Sequence, residues 1–127
     1  AITQRIQYGG DEVVKAKAGG GSATLSMAYS AIVFFNEFIA GLDGTGSGRV
    51  TAFVKTSQEG IPAPKFDADY FGTEVEIGPG GLKAILPLPK LTGPGEEEMY
   101  RKAIDALIPE IKKGIDFAHA SPSKATN

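Results

Sequence analysis

The sequence predicts an α+β domain in which long helices cover a small antiparallel sheet. Three observations lead to this class. Apolar residues follow a helical repeat at both ends of the chain, short β-branched runs occupy its middle, and Gly and Pro separate those runs. The chain has 127 residues, which suffices for one domain with its own core but not for two. Its 17 glycines exceed ordinary usage and predict many tight turns.

The first predicted helix spans residues 2–17. Its apolar positions are Ile2, Ile6, Val13 and Val14. They follow helical spacing only if the pair Gly9-Gly10 is accommodated as a kink within the helix. Asp11 and Glu12 then favour its continuation, because acidic side chains interact favourably with the positive end of a helix. We therefore expect one kinked helix in this part of the chain.

The second predicted helix spans residues 22–40. It follows the break at Gly19-Gly20-Gly21, with Ser22 as its N-cap and Gly41 at its end. Apolar residues form two adjacent stripes along it. The first stripe comprises Leu25, Ala28, Ile32, Phe35, Ile39 and Leu42, and the second comprises Met27, Ala31, Phe34 and Phe38. A helix that is apolar over so much of its circumference must be covered on two sides. It is therefore either a central core helix or a helix shared between the core and a subunit interface.

Residues 18–36 carry no charge and are long enough to raise the question of a membrane span. They contain three Gly, three Ser, one Thr and one Asn. These small and polar residues favour a buried helix of a soluble protein, so we expect no membrane partner.

Three strands are predicted in the middle of the chain, because β-branched and apolar residues alternate there with polar ones. The strands span residues 49–56, 70–77 and 82–86. The turn Gly78-Pro79-Gly80-Gly81 joins the last two as an antiparallel hairpin. In the second strand Glu74 and Glu76 share one face, and Val75 and Ile77 share the other. This alternation predicts a sheet with one solvated and one buried face.

The last predicted helix spans residues 95–118. Its acidic start, Glu96 to Glu98, suits the positive end of a helix dipole. Its apolar stripe comprises Ile104, Leu107, Ile108, Ile111 and Ile115. Pro109 lies inside this stripe, and we expect it to bend the helix or to divide it in two.

Composition excludes several classes of function. The 13 basic and 15 acidic residues give a net charge of −2 and are interspersed, so no basic patch predicts nucleic-acid binding. The absence of cysteine excludes a disulfide scaffold, a zinc ribbon and a thiol nucleophile. The acidic pairs do not predict a metal site either. Asp67 and Asp69 have the spacing of calcium ligands, but Phe71 and Gly78 stand where further ligands are needed.

The residues by themselves do not assemble a catalytic centre. The glycines before Ser22 invite a phosphate-binding interpretation, but no Walker lysine follows and no strand precedes them. The single histidine, His119, lies at the end of the last predicted helix, where a role towards the helix dipole or solvent outweighs a catalytic one. From composition and spacing alone the chain is a structural or binding domain, and the junction between the glycines and the second helix is its preferred site.

A resemblance to a known family refines this interpretation. Residues 10–28, GDEVVKAKAGGGSATLSMA, resemble the NAD-dependent malate dehydrogenases of the mitochondrial and related bacterial branch. The segments at residues 57–59 and 70–71, and IPEIKKGIDF at 108–117, extend the resemblance over nearly the whole chain. It covers only the C-terminal part of that family, in which an N-terminal Rossmann domain binds NAD and a C-terminal α+β domain binds substrate. The resemblance therefore implies the lactate/malate dehydrogenase C-terminal fold, with the Rossmann domain outside this chain.

The resemblance also implies roles for three residues. In the family a His–Asp pair moves the hydroxyl proton and arginines hold the malate carboxylates, but these precede the point that matches Ala1. We therefore assign no catalytic residue here, and His119 does not match the family's histidine. Met27 matches a methionine that contacts the cofactor near the nicotinamide, and Ser22 and Ala23 match small residues beside the substrate. Without the resemblance, the helical spacing of Met27 would indicate a core position.

The function implied by the resemblance is that of an oxidoreductase of the tricarboxylic acid cycle. The complete protein would interconvert (S)-malate and oxaloacetate by hydride transfer with NAD, as a homodimer, and residues 1–127 would be its substrate-binding and dimerisation domain. Malate is favoured over lactate because the lactate dehydrogenases differ in the loop before Ser22. The chain alone is expected to be inactive. The alternative is a non-catalytic dimerisation or interaction module with the same fold. The implied location is mitochondrial in a eukaryote, and otherwise cytoplasmic or in a peroxisome-like organelle.

Overall fold

The computed structural model describes residues 2–120. The described chain has four helices and one sheet, and the helices are α1 (Ile2–Gln7), α2 (Gly9–Ala16), α3 (Thr24–Asp43) and α4 (Glu96–Ala120). The strands are β1 (Arg49–Lys55), β2 (Tyr70–Gly78) and β3 (Gly81–Ile85). They form a three-stranded antiparallel sheet in the order β1-β2-β3. The predicted α+β class is confirmed, and each strand boundary lies within one residue of its predicted position.

The core lies on one face of the central strand β2. Val75, the most deeply buried side chain at 1% exposure, is paired with Val50 of β1 and with Ile85 of β3. Ile77 completes the buried cluster. Along β2 the buried residues alternate with Glu74, which is exposed, and Glu76, which is half-buried. This pattern confirms the predicted sheet with one buried and one solvated face.

Helix α3 packs on the core with its C-terminal half only. Phe34, Phe38 and Leu42 lie against the buried cluster, whereas every residue from 24 to 33 is exposed. The interpretation of α3 as a fully buried core helix is therefore wrong, because the small sheet does not extend far enough to cover it. By length and composition α3 also meets the requirements of a membrane span, but one of its faces packs on the sheet.

Two glycines bring α3 into direct backbone contact with the sheet. Gly41 is the one buried residue of α3, and a Cβ atom there would lie 2.7 Å from Cα of Gly48. Gly48, with φ of +62°, lies just before β1, and a Cβ atom there would clash with the carbonyl oxygen of Ile77. The backbone N–H of Ile77 donates to the carbonyl of Gly48 at 2.8 Å. Only glycine permits this approach at both positions.

The N-terminal segment departs from the predicted single helix over residues 2–17. The structure divides it at Tyr8 into α1 and α2. Gly9 and Gly10, at which we expected the kink, both lie inside α2. The two helices remain joined through their side chains, because Arg5 donates two charge-assisted hydrogen bonds of 2.9 Å to the Glu12 carboxylate. This contact lowers the pKa of Glu12.

The ends of α3 also differ from their predicted positions. The helix begins at Thr24, with Ala23 rather than Ser22 at the N-cap position. At the other end it continues past residue 40 to Asp43 and stops at Gly44, whose left-handed φ of +69° allows its N–H to donate to the carbonyl of Gly41.

Helix α4 passes through Pro109 without a break, so of the two expected effects, a bend or a division in two, the division is wrong. A proline removes only one intrahelical hydrogen bond. Ile104, which is buried, and Ile111, which is half-buried, lie on either side of Pro109, so the apolar stripe of α4 continues across the proline. At the start of α4 the Glu96 carboxylate accepts hydrogen bonds of 2.7 Å from the N–H groups of Gly93 and Thr92, which lower the pKa of Glu96.

The glycine contact predicts the effect of one added methyl group. We expect Gly48→Ala to lower the free energy of unfolding by about 3 kcal/mol, because left-handed strain adds to a clash with the Ile77 carbonyl. Gly44→Ala is the matched control. Gly44 has a similar positive φ and open space around its Cβ position, so we expect a loss of about 1 kcal/mol. Urea unfolding of the three chains measures both losses, and equal losses would contradict the close approach.

The Glu96 hydrogen bonds predict a pH dependence of stability. Because the folded state lowers the pKa of Glu96, its contribution is present above the titration of an unfolded carboxyl group and is lost as pH falls through the folded value. We expect Glu96→Gln to lower Tm at pH about 7, with the difference from the parent chain shrinking once pH falls below the ordinary glutamate pKa of about 4.3 and vanishing only below the lowered pKa of Glu96. Glu98→Gln, which leaves the bonds to Gly93 and Thr92 intact, is the control. A Glu96→Gln difference that is constant with pH would overturn this assignment.

Candidate functional site

The site predicted from the sequence lies where α2 turns into α3, through a loop that we call the glycine loop (residues 18–22). Ala18, Gly19 and Gly21 adopt positive φ values of 49°, 78° and 130°. Such a conformation strains an alanine and is readily adopted by glycine. The N–H of Gly20 donates to the carbonyl of Lys17 at 2.8 Å, which closes the first turn of the loop. The glycines therefore serve to form the tight turn between α2 and α3.

The structure brings the three predicted site residues together at the first turn of α3. Ser22 is exposed, and its hydroxyl oxygen accepts a hydrogen bond of 3.3 Å from the N–H of Thr24. The hydroxyl groups of Ser22 and Thr24 also contact each other. Ala23 is half-buried, and its carbonyl accepts a bond of 3.0 Å from the N–H of Met27. Met27 therefore lies one helical turn beyond Ala23.

Met27 is 68% exposed, which does not support a core position within this chain. Met27 and Phe34 are seven residues apart and share a helix face, yet Phe34 packs on the sheet core. The difference arises because the sheet ends near Phe34. At a rise of about 1.5 Å per residue, residues 24–33 project about 15 Å beyond the packed part of α3. The candidate site is thus an exposed helix end with apolar side chains.

The charges around this site are few. Lys17 supplies the nearest charged contact, since its ammonium group donates a hydrogen bond of 2.9 Å to the carbonyl of Ser22. Sequence reasoning did not single out Lys17. The signal is its position five residues before Ser22, with three glycines between them. That spacing becomes informative only once the loop is known to fold back.

Other candidates from the sequence do not form a site. Within residues 2–120, no group of three or more His, Cys, Asp or Glu side chains could hold a metal ion. Asp67 accepts a hydrogen bond of 3.1 Å from the Tyr100 hydroxyl, so it serves the packing of α4. His119 lies in the last turn of α4, on a different element from the glycine loop. Among the described residues these candidates therefore form neither a metal cluster nor a catalytic relay at the glycine loop.

A concave surface away from the glycine loop was not predicted. It is an apolar groove of about 400 Å³ between α4 and the solvated face of the sheet. Phe53 and Tyr70 stack at its base with ring centroids 6.1 Å apart, and Leu107, Ile111 and Ile115 of α4 line its wall. One charged residue, Glu110, lines it. The groove carries apolar surface without an arrangement of polar groups that would fix a ligand.

Comparisons with known proteins agree with this architecture. The family model of the lactate/malate dehydrogenase α/β C-terminal domain matches residues 1–118. The mitochondrial malate dehydrogenase of Saccharomyces cerevisiae is 40% identical over 119 residues, which cover 91% of this chain and 33% of the yeast protein. The chloroplastic malate dehydrogenase of Arabidopsis thaliana is 41% identical over 130 residues, covering 99% of this chain and 30% of the plant protein. The mitochondrial malate dehydrogenase of Rattus norvegicus is 41% identical over 116 residues, covering 91% of this chain and 32% of the rat protein.

The chain thus spans about a third of the length of these relatives. The family match extends from the two short N-terminal helices through the sheet and almost to the end of α4. The chain belongs to the lactate/malate dehydrogenase family, and it corresponds to the α/β C-terminal domain of that family.

Proposed function

We propose that this chain is the C-terminal substrate-binding and dimerisation domain of an NAD-dependent malate dehydrogenase, which interconverts (S)-malate and oxaloacetate. The observation that carries the proposal is the identity of about 40% to malate dehydrogenases over nine-tenths or more of the chain. In the proposed enzyme the proton-transfer pair and the arginines that hold malate lie outside residues 1–127. This chain contributes Ser22 and Ala23 beside the substrate and Met27 beside the cofactor.

The exposed first half of α3 supports the proposal that another domain supplies the rest of the active site. Residues 24–33 project from the packed domain with apolar side chains exposed. Exposed apolar surface of this extent is characteristic of a surface that another domain or subunit covers. In the proposed enzyme the cofactor-binding domain faces the glycine loop and Met27, and small side chains at positions 22 and 23 leave room for a dicarboxylate.

In this proposal the chain contacts NAD at one position, Met27, and does not hold the rest of the cofactor. The exposed, flexible thioether of Met27 suits the face or edge of a flat aromatic ring. The sheet within the described residues is antiparallel, whereas dinucleotides bind at a crevice of parallel strands. The phosphates and riboses are therefore held by the proposed Rossmann domain. NAD supplies the hydride acceptor when bound, while Met27 orients its ring and the glycine loop limits the space for substrate.

The exposed stripe of α3 is the proposed subunit contact of a homodimer. Its residues are Leu25, Ile32, Phe35 and Ile39, each more than half exposed. The same exposure supports the alternative of a non-catalytic interaction module. The coding sequence upstream of Ala1 separates the two functions, because only the dehydrogenase requires a GxGxxG motif after a strand. For the enzyme we propose a mitochondrial location in a eukaryote, in keeping with the names of the yeast and rat relatives.

The proposal predicts that activity requires more than residues 1–127. We expect the whole protein to reduce NAD in the presence of malate, and the isolated chain to show no such activity at equal molar concentration. The physical reason is that the isolated chain has neither the proton-transfer pair nor the dinucleotide fold. Circular dichroism confirms in the same buffer that the isolated chain is folded. NADH formation that scales with the amount of purified isolated chain would falsify this prediction.

The role of Met27 predicts a cofactor-specific defect. In the whole protein we expect Met27→Asp to raise the Michaelis constant for NAD at least about tenfold, because a carboxylate replaces a thioether against an apolar ring. Met99→Asp is the matched control, since Met99 is the chain's other methionine and is also half exposed, on α4. Steady-state kinetics with varied NAD measure both. An unchanged Michaelis constant for NAD in the Met27→Asp variant would show that Met27 does not contact the cofactor.

A further inference from the structure

Lys17 forms hydrogen bonds at both ends of the glycine loop. Its carbonyl oxygen accepts a hydrogen bond of 2.8 Å from the N–H of Gly20, and its ammonium group donates one of 2.9 Å to the carbonyl of Ser22. A Cβ atom at Gly21 would lie 3.9 Å from the same ammonium nitrogen. The glycine loop therefore curves around the Lys17 side chain, which reaches from the end of α2 to Ser22, just before α3.

Little else in the described chain holds this loop in place. All of its residues are exposed, so no buried side chain anchors it. The N–H of Gly19 reaches the carbonyl of Val14 only at 3.4 Å, close to the limit of a hydrogen bond. Ala18 is strained at a φ of +49°. A strained, glycine-rich segment retains one conformation only where specific contacts determine it. The N–H of Ala18 donates to the carbonyl of Lys15 at 2.9 Å where the loop begins, and Lys17 provides the contacts to Gly20 and Ser22.

We propose that Lys17 is a positioning residue, whose ammonium group fixes the carbonyl of Ser22 and thereby sets the place of Ser22 and Ala23 at the start of α3. This inference rests on the proposed function in one respect, that malate binds beside Ser22 and Ala23. The bond itself is a property of the loop and is present without substrate. Lys17 acts on the substrate through the loop and touches no reacting atom.

Loss of the Lys17 bond affects catalysis through substrate binding, because part of the binding free energy must then be used to order the glycine loop. Without the Lys17 bond the glycine loop samples many conformations, and substrate binding must select the productive one. Such a change weakens binding of substrate in the ground state and the transition state alike, which raises KM with little change in kcat. A catalytic role would instead lower kcat. The split between the two constants distinguishes positioning from chemistry.

The kinetic test uses three variants of the whole protein. We expect Lys17→Met, which keeps the length of the side chain but removes the donor, to raise KM for malate about fivefold, the size expected of one solvent-exposed charge-assisted bond. Lys17→Arg keeps a long cationic donor and restores KM to within about twofold of the parent protein. Lys15→Met removes the same charge two residues earlier on α2. The backbone carbonyl of Lys15 accepts a hydrogen bond from Ala18, which this substitution keeps, but within the described residues its side chain makes no hydrogen bond to the glycine loop, so we expect KM to be unchanged.

The structural test needs no substrate. Magnetisation transfer from water in NMR spectra measures exchange of the backbone amides of Gly20 and Thr24, which are bonded within the loop and at its end. We expect both to exchange about fivefold faster in Lys17→Met than in Lys15→Met, because loss of the Ser22 contact opens the loop. Equal exchange in the two variants overturns the proposal, even if KM changes, since Lys17 would then act on substrate by its charge.

The two tests separate this inference from the proposed function. If the whole protein lacks malate-dependent activity, the proposed function fails, while the exchange measurement still decides whether Lys17 holds the loop. If the parent protein is active and Lys17→Met keeps its KM, the positioning role fails and the dehydrogenase assignment stands. Faster exchange together with a raised KM and rescue by Lys17→Arg supports the proposal.

Discussion

The contact between Gly41 and Gly48 beneath Ile77 determines how the rest of the domain is arranged. Side chains normally keep a helix about 10 Å from a sheet, but here the backbones touch. The hydrogen bond from Ile77 to Gly48 ties the start of β1 to β2 at the same point. One end of α3 is thereby fixed on the sheet, and the direction of the helix carries its other end out of the domain. The exposed position of Met27 follows from this geometry.

The residues that stabilise the fold and those of the candidate site consequently lie on different halves of one helix. Phe34, Phe38 and Leu42 pack on the core and stabilise the fold, while residues 24–33 add little to it within this chain. The candidate site thus lies on a regular helix whose far end is firmly held, which favours precise placement of Met27. The glycine loop has no such support from packing. Its conformation depends on local hydrogen bonds, so its order can change without unfolding the domain.

The sequence was sufficient to predict the strands of the sheet, but it predicted the boundaries and the burial of the helices less accurately. Alternation at Val75 and Ile77 located β2, because burial on one face of a strand leaves a period of two. The apolar stripes of α3 could not distinguish core from interface, because both environments require the same side chains. The division at Tyr8 carried no signal, since the neighbouring glycines suggested a kink one residue later. Ser22, Ala23 and Met27 came from the resemblance, and Lys17 was missed because its contact exists only in the folded loop.

The hairpin of β2 and β3 contains an irregularity that limits how this chain can vary in length. Ile77 pairs with Leu82 and Glu76 with Ala84, so Lys83 is an extra residue in β3, and its ammonium group contacts the Glu76 carboxylate. A one-residue insertion or deletion in β2 would move Val75 to the solvated face and bring Glu76 towards α3. The exposed loop at residues 57–60 faces no such constraint. We therefore expect insertions and deletions to be tolerated between β1 and β2, whereas within β2 they would exchange the buried and the solvated face of the strand.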